Sequence, residues 1–342
     1  MKTMRNAFYG GGILLFLLLG GACTAPRQNP LDFISSEIRP PVFLGATSLD
    51  TQTFELQFSA EVELEHVSFD LPTSGIEVQH GATCRIVSET AFPGGAKITI
   101  SGRARDTQNN TLDFIVPLRV RNDRIPALII TEVRTEYSKP KVEFIELYTR
   151  SAGNLGGLRI ISSSCLLEAP LYEFEPTEVQ QGEYVVVHLR SIEEGLQDER
   201  GENLALSGGT EAHPEARDFW LPGNTKKIRK TDGIALIDQD NRVLDALLIS
   251  ETAEGSWQKN EMTEFCSFLT SHNAWTGASA TLLPADAVMS SYTTTTRTIC
   301  RDESREDSHT AADWYVTATS GASPGQPNKT TRYEPTSKKI PK

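Results

Sequence analysis

The feature that most restricts this fold is a two-residue alternation of apolar and polar side chains, repeated in short runs and broken by turn residues. Phe54, Leu56 and Phe58 share one face of such a run, with Thr53, Glu55 and Gln57 opposite. That period belongs to a half-buried strand. Ile98 and Ile100 alternate likewise with Lys97, Thr99 and Ser101, and residues 112–120 repeat the pattern around Pro117. A proline cannot donate to a sheet ladder, which predicts an edge position. Residues 92–95 (FPGG) and 108–110 (QNN) are turn punctuation between these runs. Short strands at this spacing predict an antiparallel sandwich over residues 41–124.

A second strand-rich region covers residues 125–328. Its runs fall at 127–133, 142–148, 154–161, 182–188, 232–238 and 242–247. Met262, Phe265, Cys266 and Leu269 are spaced at three and four residues, which predicts one short helix with Asn260 as its cap. Residues 190–230 are polar and carry Gly195, Gly201, Gly208, Gly209 and Gly223, so they read as long loops. With 342 residues and 38% hydrophobic content, the chain can fill two cores without a disulfide scaffold. The last fourteen residues, 329–342, are basic and predict a disordered tail.

Lys2 and Arg5 precede an apolar run at residues 13–19, and small residues at Gly20 and Ala22 lead to Cys23. This run is far shorter than the ~20 residues that span a bilayer, so residues 1–22 read as a cleavable leader. The cysteine directly after a small-residue site resembles a bacterial lipoprotein signal, which implies diacylation of Cys23. Gly20 stands where that signal usually has leucine, with Leu19 one place earlier. An ordinary secretory leader with a coincidental cysteine is the alternative, and either implies export. Residues 23–40 mix prolines with polar residues and predict a flexible tether.

With Cys23 lipidated, Cys84, Cys165, Cys266 and Cys300 remain. An oxidising compartment permits two disulfides among them, in three pairings. Cys266 with Cys300 is the expected bridge because both fall in one domain, and Cys84 is expected as a buried thiol. No C-x-x-C pair or neighbouring histidine cluster points to zinc, so no metal or cofactor is expected.

Two family resemblances follow from motifs. Arg105-Asp106 with Asn109-Asn110, and the opening at residues 54–63, resemble bacterial Ig-like domains. The second region resembles the lamin tail domain, an Ig-like β-sandwich. The matching pieces are Ile130 to Val133 with Glu132, then Glu143 to Tyr148 with Glu146, then Asn154 to Ile160 with Gly157. Further pieces are the hairpin Asp232-Gly233 through Asp245, the pair Asp313-Trp314, and the closing Pro324, Gly325 and Asn328. Asn241 stands where the hairpin commonly has glycine. The resemblance implies an all-β chain of two tandem Ig-like sandwiches, the second with loop and helix inserts. It also implies that these residues serve the fold.

No catalytic constellation emerges. Glu143 and Glu146 lie on opposite faces of a strand and cannot converge as neighbours, and Glu146 is expected to accept bonds from loop amides. Asp238 to Asn241 suggests a calcium loop, but Val243 and Ile249 occupy the positions that need glycine and a bidentate glutamate. A polar turn is the better reading. The six histidines form no H-E-x-x-H, and G-x-S-x-G, phosphate-loop and dinucleotide motifs are missing. Asp307-Ser308-His309 places triad residue types side by side, whereas triads converge through the fold. The four tryptophans lie on no regular spacing for a glycan platform.

The expected function is therefore a non-enzymatic, lipid-anchored envelope protein. It would bind a protein or polysaccharide through loops 190–230 and the inserted region 256–312. The alternative is an exported hydrolase, nuclease or accessory subunit with an unrecognised site in the inserts, which convergence of His188, His213 or His309 with an acid would favour. Nucleic acid is not an expected partner. The net charge is −12, and loss of Lys2 and Arg5 would deepen it to −14, which repels a phosphate backbone.

Overall fold

The computed structural model describes residues 39–335 apart from Glu168. The leader, Cys23, all but the end of the expected tether, and residues 336–342 lie outside the described residues.

The chain is nearly all β and forms two sandwiches. The first contains β1 (Phe43–Ser48), β2 (Thr53–Phe69), β3 (Ile76–Gln79), β4 (Gly81–Ser88), β5 (Lys97–Asp106) and β6 (Thr111–Arg119). The long β2 joins its two layers. Its first half pairs with β1 and β4, its second half pairs with β5, and the ladder is irregular between Gln57 and Val62. The alternating residues Phe54, Leu56, Phe58, Val62 and Leu64 are all buried. Phe54, Phe69 and Phe92 pack as one aromatic group, and Phe43, Phe58 and Phe114 as another. The proline-bearing β6 lies at the edge.

The second sandwich packs a five-stranded sheet on a six-stranded one. The first has β10 (Arg159–Ser162), β11 (Tyr172–Glu173), β15 (Asp232–Ile237), β16 (Val243–Ser250) and β17 (Val288–Met289) in the order β11-β10-β15-β16-β17. The second has β7 (Leu128–Arg134), β8 (Phe144–Thr149), β13 (Tyr184–His188), β14 (Arg217–Trp220), β18 (Ile299–Arg301) and β19 (Trp314–Val316) in the order β14-β13-β8-β7-β18-β19. A short pair, β9 (Gly153–Asn154) with β12 (Glu178–Val179), stands apart. The pairing is antiparallel except at two edges, where β14 runs parallel to β13 and β17 to β16. Both parallel strands follow long inserts, which are needed to return the chain in the same direction.

One helix, α1 (Asn260–Ser271), packs on β15 with Met262, Phe265, Cys266 and Leu269 buried. Its cap position is held by Lys259 rather than Asn260, whose amide instead donates to Glu264 one turn on.

β7 is buried along its whole length, although a half-buried strand should alternate. Thr131 is an extra residue in its ladder, since Ile130 pairs with Leu147 while Glu132 pairs with Glu146. This bulge reverses the phase of the strand. Leu128, Ile130 and Val133 therefore all enter the core, and Glu132 turns to the other face of the sheet. There the closing segment covers it through Ser323, while Gly325 donates to the neighbouring Glu146.

Residues 329–333, expected to begin a disordered tail, instead run beside β19. Ala318 N–H donates to Thr331 O, Tyr333 N–H to Val316 O, and Arg332 pairs with Asp302 at 2.5 Å. Local charge did not anticipate these backbone partners.

Candidate functional site

The two sandwiches meet at a junction made of backbone and short polar side chains. Gly95 has φ +81 and lies against Gly156; a Cβ on either would overlap the other's turn, at the Gly156 backbone or the Gly94 carbonyl. Asn122, in the linker, is buried and donates to Asn154 O at 2.7 Å and Gly156 O at 3.0 Å. Gln239 completes the seal: its Oε1 accepts from Asn122 N–H and its Nε2 donates to Val120 O. The linker backbone thus finds partners on the second domain, as buried polar groups must.

Beside this junction both domains wall a cleft of about 640 Å³. Arg119 at the end of β6, Arg121 in the linker and Arg159 at the start of β10 line it, with Glu173 and Asp240. Arg119 Nη1 donates to Gly95 O at 2.6 Å, and its Nη2 pairs with Glu173. Arg121 Nη2 is 3.2 Å from Asp240, and Arg159 Nη2 donates to Asp238 O at 3.2 Å and Asn241 Oδ1 at 2.5 Å. Burial lowers the Arg119 and Arg159 guanidinium pKa values, and Arg119 also feels the charge of Arg159. The cleft thus sets three guanidinium groups against two carboxylates, with Arg119 paired to Glu173 and Arg121 to Asp240. Sequence reading missed it; only the close spacing of Arg119 and Arg121 hints at it.

The residues carried by the lamin-tail resemblance are brought together as structural ties. Glu132 accepts from Ser323 N–H and Oγ at 3.1 Å, and Glu146 accepts from Gly325 N–H and Thr131 Oγ1, each at 2.7 Å. Glu143 is bound by two nitrogens of Arg190, at 2.5 and 2.6 Å. Asn154 Oδ1 accepts from Gly156 N–H, and Gly157 has φ +79. Asp232 accepts from Ser163 Oγ, Arg229 N–H and Gly233 N–H. Gly233 has no room for a side chain against Phe265. Asp245 binds Arg301, whose guanidinium lies over Trp314. Asn328 donates to Thr131 O and Arg301 O. Gly325 has φ +77 and would clash with His213 and Ala216 if it carried a Cβ. The preceding Pro324 carries the chain, half-buried, between Ser323 and Gly325.

Glu143 and Glu146 do not converge, but Glu132 and Glu146 do, as directly paired residues on β7 and β8. Cys300 pairs with Glu132 on its other side. Burial raises both carboxyl pKa values, Glu146 well above its ordinary value, where the Glu132 charge adds to the effect. Register creates this row, and period alone could not reveal it.

The expected Cys266–Cys300 bridge is not formed: Cys84, Cys165, Cys266 and Cys300 are all free thiols. Cys266 lies on α1 against the five-stranded sheet, while Cys300 lies in β18 of the six-stranded sheet. Membership of one domain did not make them neighbours.

His188 Nε2 lies 2.6 Å from Asp218 Oδ1, so one histidine does meet an acid. Both side chains have 0% exposure, and Trp220 stacks on the imidazole at 3.9 Å. His213 contributes only its backbone N–H to Asp218. His309 pairs with Asp307, two residues before it in the same loop, at 3.4 Å. Asp238 closes its own turn by accepting from Asp240 N–H, Arg242 N–H and Arg242 Nε. Each tryptophan is committed to internal packing or bonds.

Residues 190–230, expected as long loops, contain the buried edge strand β14 and are tied down by buried charge. Glu199 accepts from Leu206, Ser207 and Asp218 N–H groups, and Arg217 donates to the Glu199 and Gly201 carbonyls. Among the described residues, no helix is long and apolar enough to cross a membrane.

The family model described as TP_1001_2nd, protein second domain, matches residues 126–316. The chain belongs to this family. A curated relative, an uncharacterized protein of Treponema pallidum (strain Nichols), is 31% identical over 159 residues. That match covers 46% of this chain, which spans 40% of the relative's length. The N-terminal part of the bacterial S-layer protein SbsC is similar at 14% identity and a TM-score of 0.23, over 43% of this chain and 37% of that one. A DUF4876 family protein from Bacteroides thetaiotaomicron is similar at 14% identity and a TM-score of 0.27, over 75% and 90%.

Proposed function

We propose that the protein is an exported, lipid-anchored and non-enzymatic component of a bacterial cell envelope. Cys23 is its lipid anchor, and the second sandwich is a lamin-tail-like domain. Its two sandwiches act as one unit that presents a binding surface to a protein or polysaccharide partner. The observation that carries this reading is the junction, where Gly95 and Gly156 leave no space for a side chain and both domains wall one arginine-lined cleft. The small-residue site before Cys23 supports the anchor. Two or more acyl chains make such anchoring stable.

The test compares full-length wild type with Cys23→Ala by intact mass and membrane fractionation after expression in a bacterium. Acyl mass and membrane association, both lost on substitution, are expected. A soluble wild type cleaved without lipid would overturn the anchor.

A second reading, an exported hydrolase, draws on the meeting of His188 with Asp218. Their complete burial denies a substrate access in this conformation. Hydrolysis of ester, peptide or DNA substrates, abolished by His188→Gln in a folded variant, would favour this reading over the first.

A further inference from the structure

We propose that the cleft between the sandwiches binds an anionic saccharide, with Arg121 and Arg159 gripping its carboxylate or phosphate. The inference rests on the binding role proposed above and gives that role a ligand class. Three guanidinium groups and two carboxylates, Glu173 and Asp240, line one cleft, a local excess of positive charge in a chain whose acidic residues outnumber its basic ones by 12. Composition alone would not gather them.

The three differ in what they have left to offer. Arg119 spends both terminal nitrogens on Gly95 and Glu173 and serves as a wall. Arg121 and Arg159 are each held by Nη2 alone. Among the described residues their Nε and Nη1 hydrogens meet no protein acceptor. A guanidinium pinned at one end has already lost much of its rotamer freedom, so its remaining donors meet an oxyanion at lower entropic cost. Hydrogen bonds between charged partners are also about twice as strong as neutral ones.

The rest of the lining favours a sugar over a peptide. Leu118, Leu167 and Pro170 form an apolar shelf, and no aromatic side chain lines the cleft. A peptide usually needs a pocket for a large anchor. The exposed Thr47 adds a hydroxyl group beside the shelf.

Isothermal titration calorimetry on the full-length chain, purified as the cell processes it, would test this. The probes are trigalacturonate for a carboxylate, galactose 6-phosphate for a phosphate, neutral galactotriose and triglutamate. At least one anionic sugar should bind saturably, galactotriose should not, and raising NaCl from about 50 to about 500 mM should weaken binding. The Arg121→Gln/Arg159→Gln variant should bind at least about tenfold more weakly. Arg121→Gln alone, at a half-exposed side chain, should weaken binding with an unchanged thermal midpoint. Three results would each overturn the proposal: no binding of either anionic sugar, affinity unchanged in both variants, or triglutamate binding as tightly as trigalacturonate. Failure of the envelope reading is separate, because a soluble, unlipidated chain would still report sugar binding.

Discussion

Arg301 on β18 and Asp245 on β16 meet between the two sheets of the second sandwich, with Nη2 at 2.7 and 2.6 Å from the two carboxylate oxygens. Both also hold the same residue of β7: Ile130 N–H donates to Asp245, and Arg301 Nε donates to Ile130 O. The pair therefore ties the five-stranded sheet to the six-stranded one at a single backbone position. Breaking a buried pair from one side costs about 3–5 kcal/mol when the remaining charge has no other partner. Arg301 keeps Asp307, 3.0 Å from its Nη1, so the cost falls toward the lower end. Asp245→Ala should lose that much in chemical denaturation, and Asp245→Asn, which keeps an acceptor for Ile130, should lose less. An alanine variant within about 1 kcal/mol of wild type, the usual effect of a surface pair, would show that the tie contributes little.

Glu146 gives the fold a pH dependence of its own. Burial and the neighbouring Glu132 hold its carboxyl well above the ordinary 4.5. The unfolded chain releases this proton near 4.5, whereas the folded chain retains it. Its contribution to stability is thus complete below that pH and declines as pH rises toward the folded value. Glu146→Gln stays neutral, with Oε1 accepting from Gly325 and Nε2 donating to a turned Thr131 hydroxyl. The thermal midpoint of this variant should gain on wild type as pH rises from 5 to 8, at about 2–4 °C per kcal/mol for a domain of this size. A difference that stays constant with pH would mean that the folded carboxyl is ionised throughout.

Much of this architecture was legible where period decides the outcome. Phe54, Leu56, Phe58, Ile98 and Ile100 all enter the first core, and the stripe Met262, Phe265, Cys266 and Leu269 is buried under α1. Register was not legible. The bulge at Thr131 turns Glu132 out of the core and sets it beside Glu146 and Cys300, a row that alternation cannot predict. The cleft was hidden for a related reason: Arg119, Arg121 and Arg159 come together only because Gln239 and Asn122 dock the linker on the second domain. Sequence periodicity assigns faces within a strand, while contacts between distant segments depend on how those strands pair.

The free thiols give a direct check on the missing bridge. Cys84 and Cys300 are buried with raised pKa values, and burial pushes Cys266 up to about 12. Only Cys165 of these four is partly exposed. Because the thiolate is the reactive form, a maleimide near neutral pH should label Cys165 in the native protein and all four in denaturant. Peptide mapping would identify the sites. Adding reductant should leave the thermal midpoint unchanged. Denatured protein in which Cys266 and Cys300 resist labelling until reduced would establish the disulfide after all.

The junction supplies the most local test of whether the two sandwiches act as one body. Gly156→Ala would drive its Cβ into the Gly94 carbonyl and against Asn154 and Pro176, all on segments fixed by backbone bonds. Gly94 cannot retreat freely, since Gly95 N–H donates to Val120 O and Arg119 donates to Gly95 O. The methyl must therefore either strain both turns or part the domains. Overpacking of this kind costs about 1–3 kcal/mol. Parting would also break the Asn122 bonds to Asn154 and Gly156. Small-angle scattering should then report a larger radius of gyration and a broader distance distribution, with each sandwich still folded by circular dichroism. Gly45→Ala, where a Cβ meets nothing nearby, is the matched control and should leave the scattering unchanged. An unchanged profile for Gly156→Ala would mean that the domains are held together elsewhere.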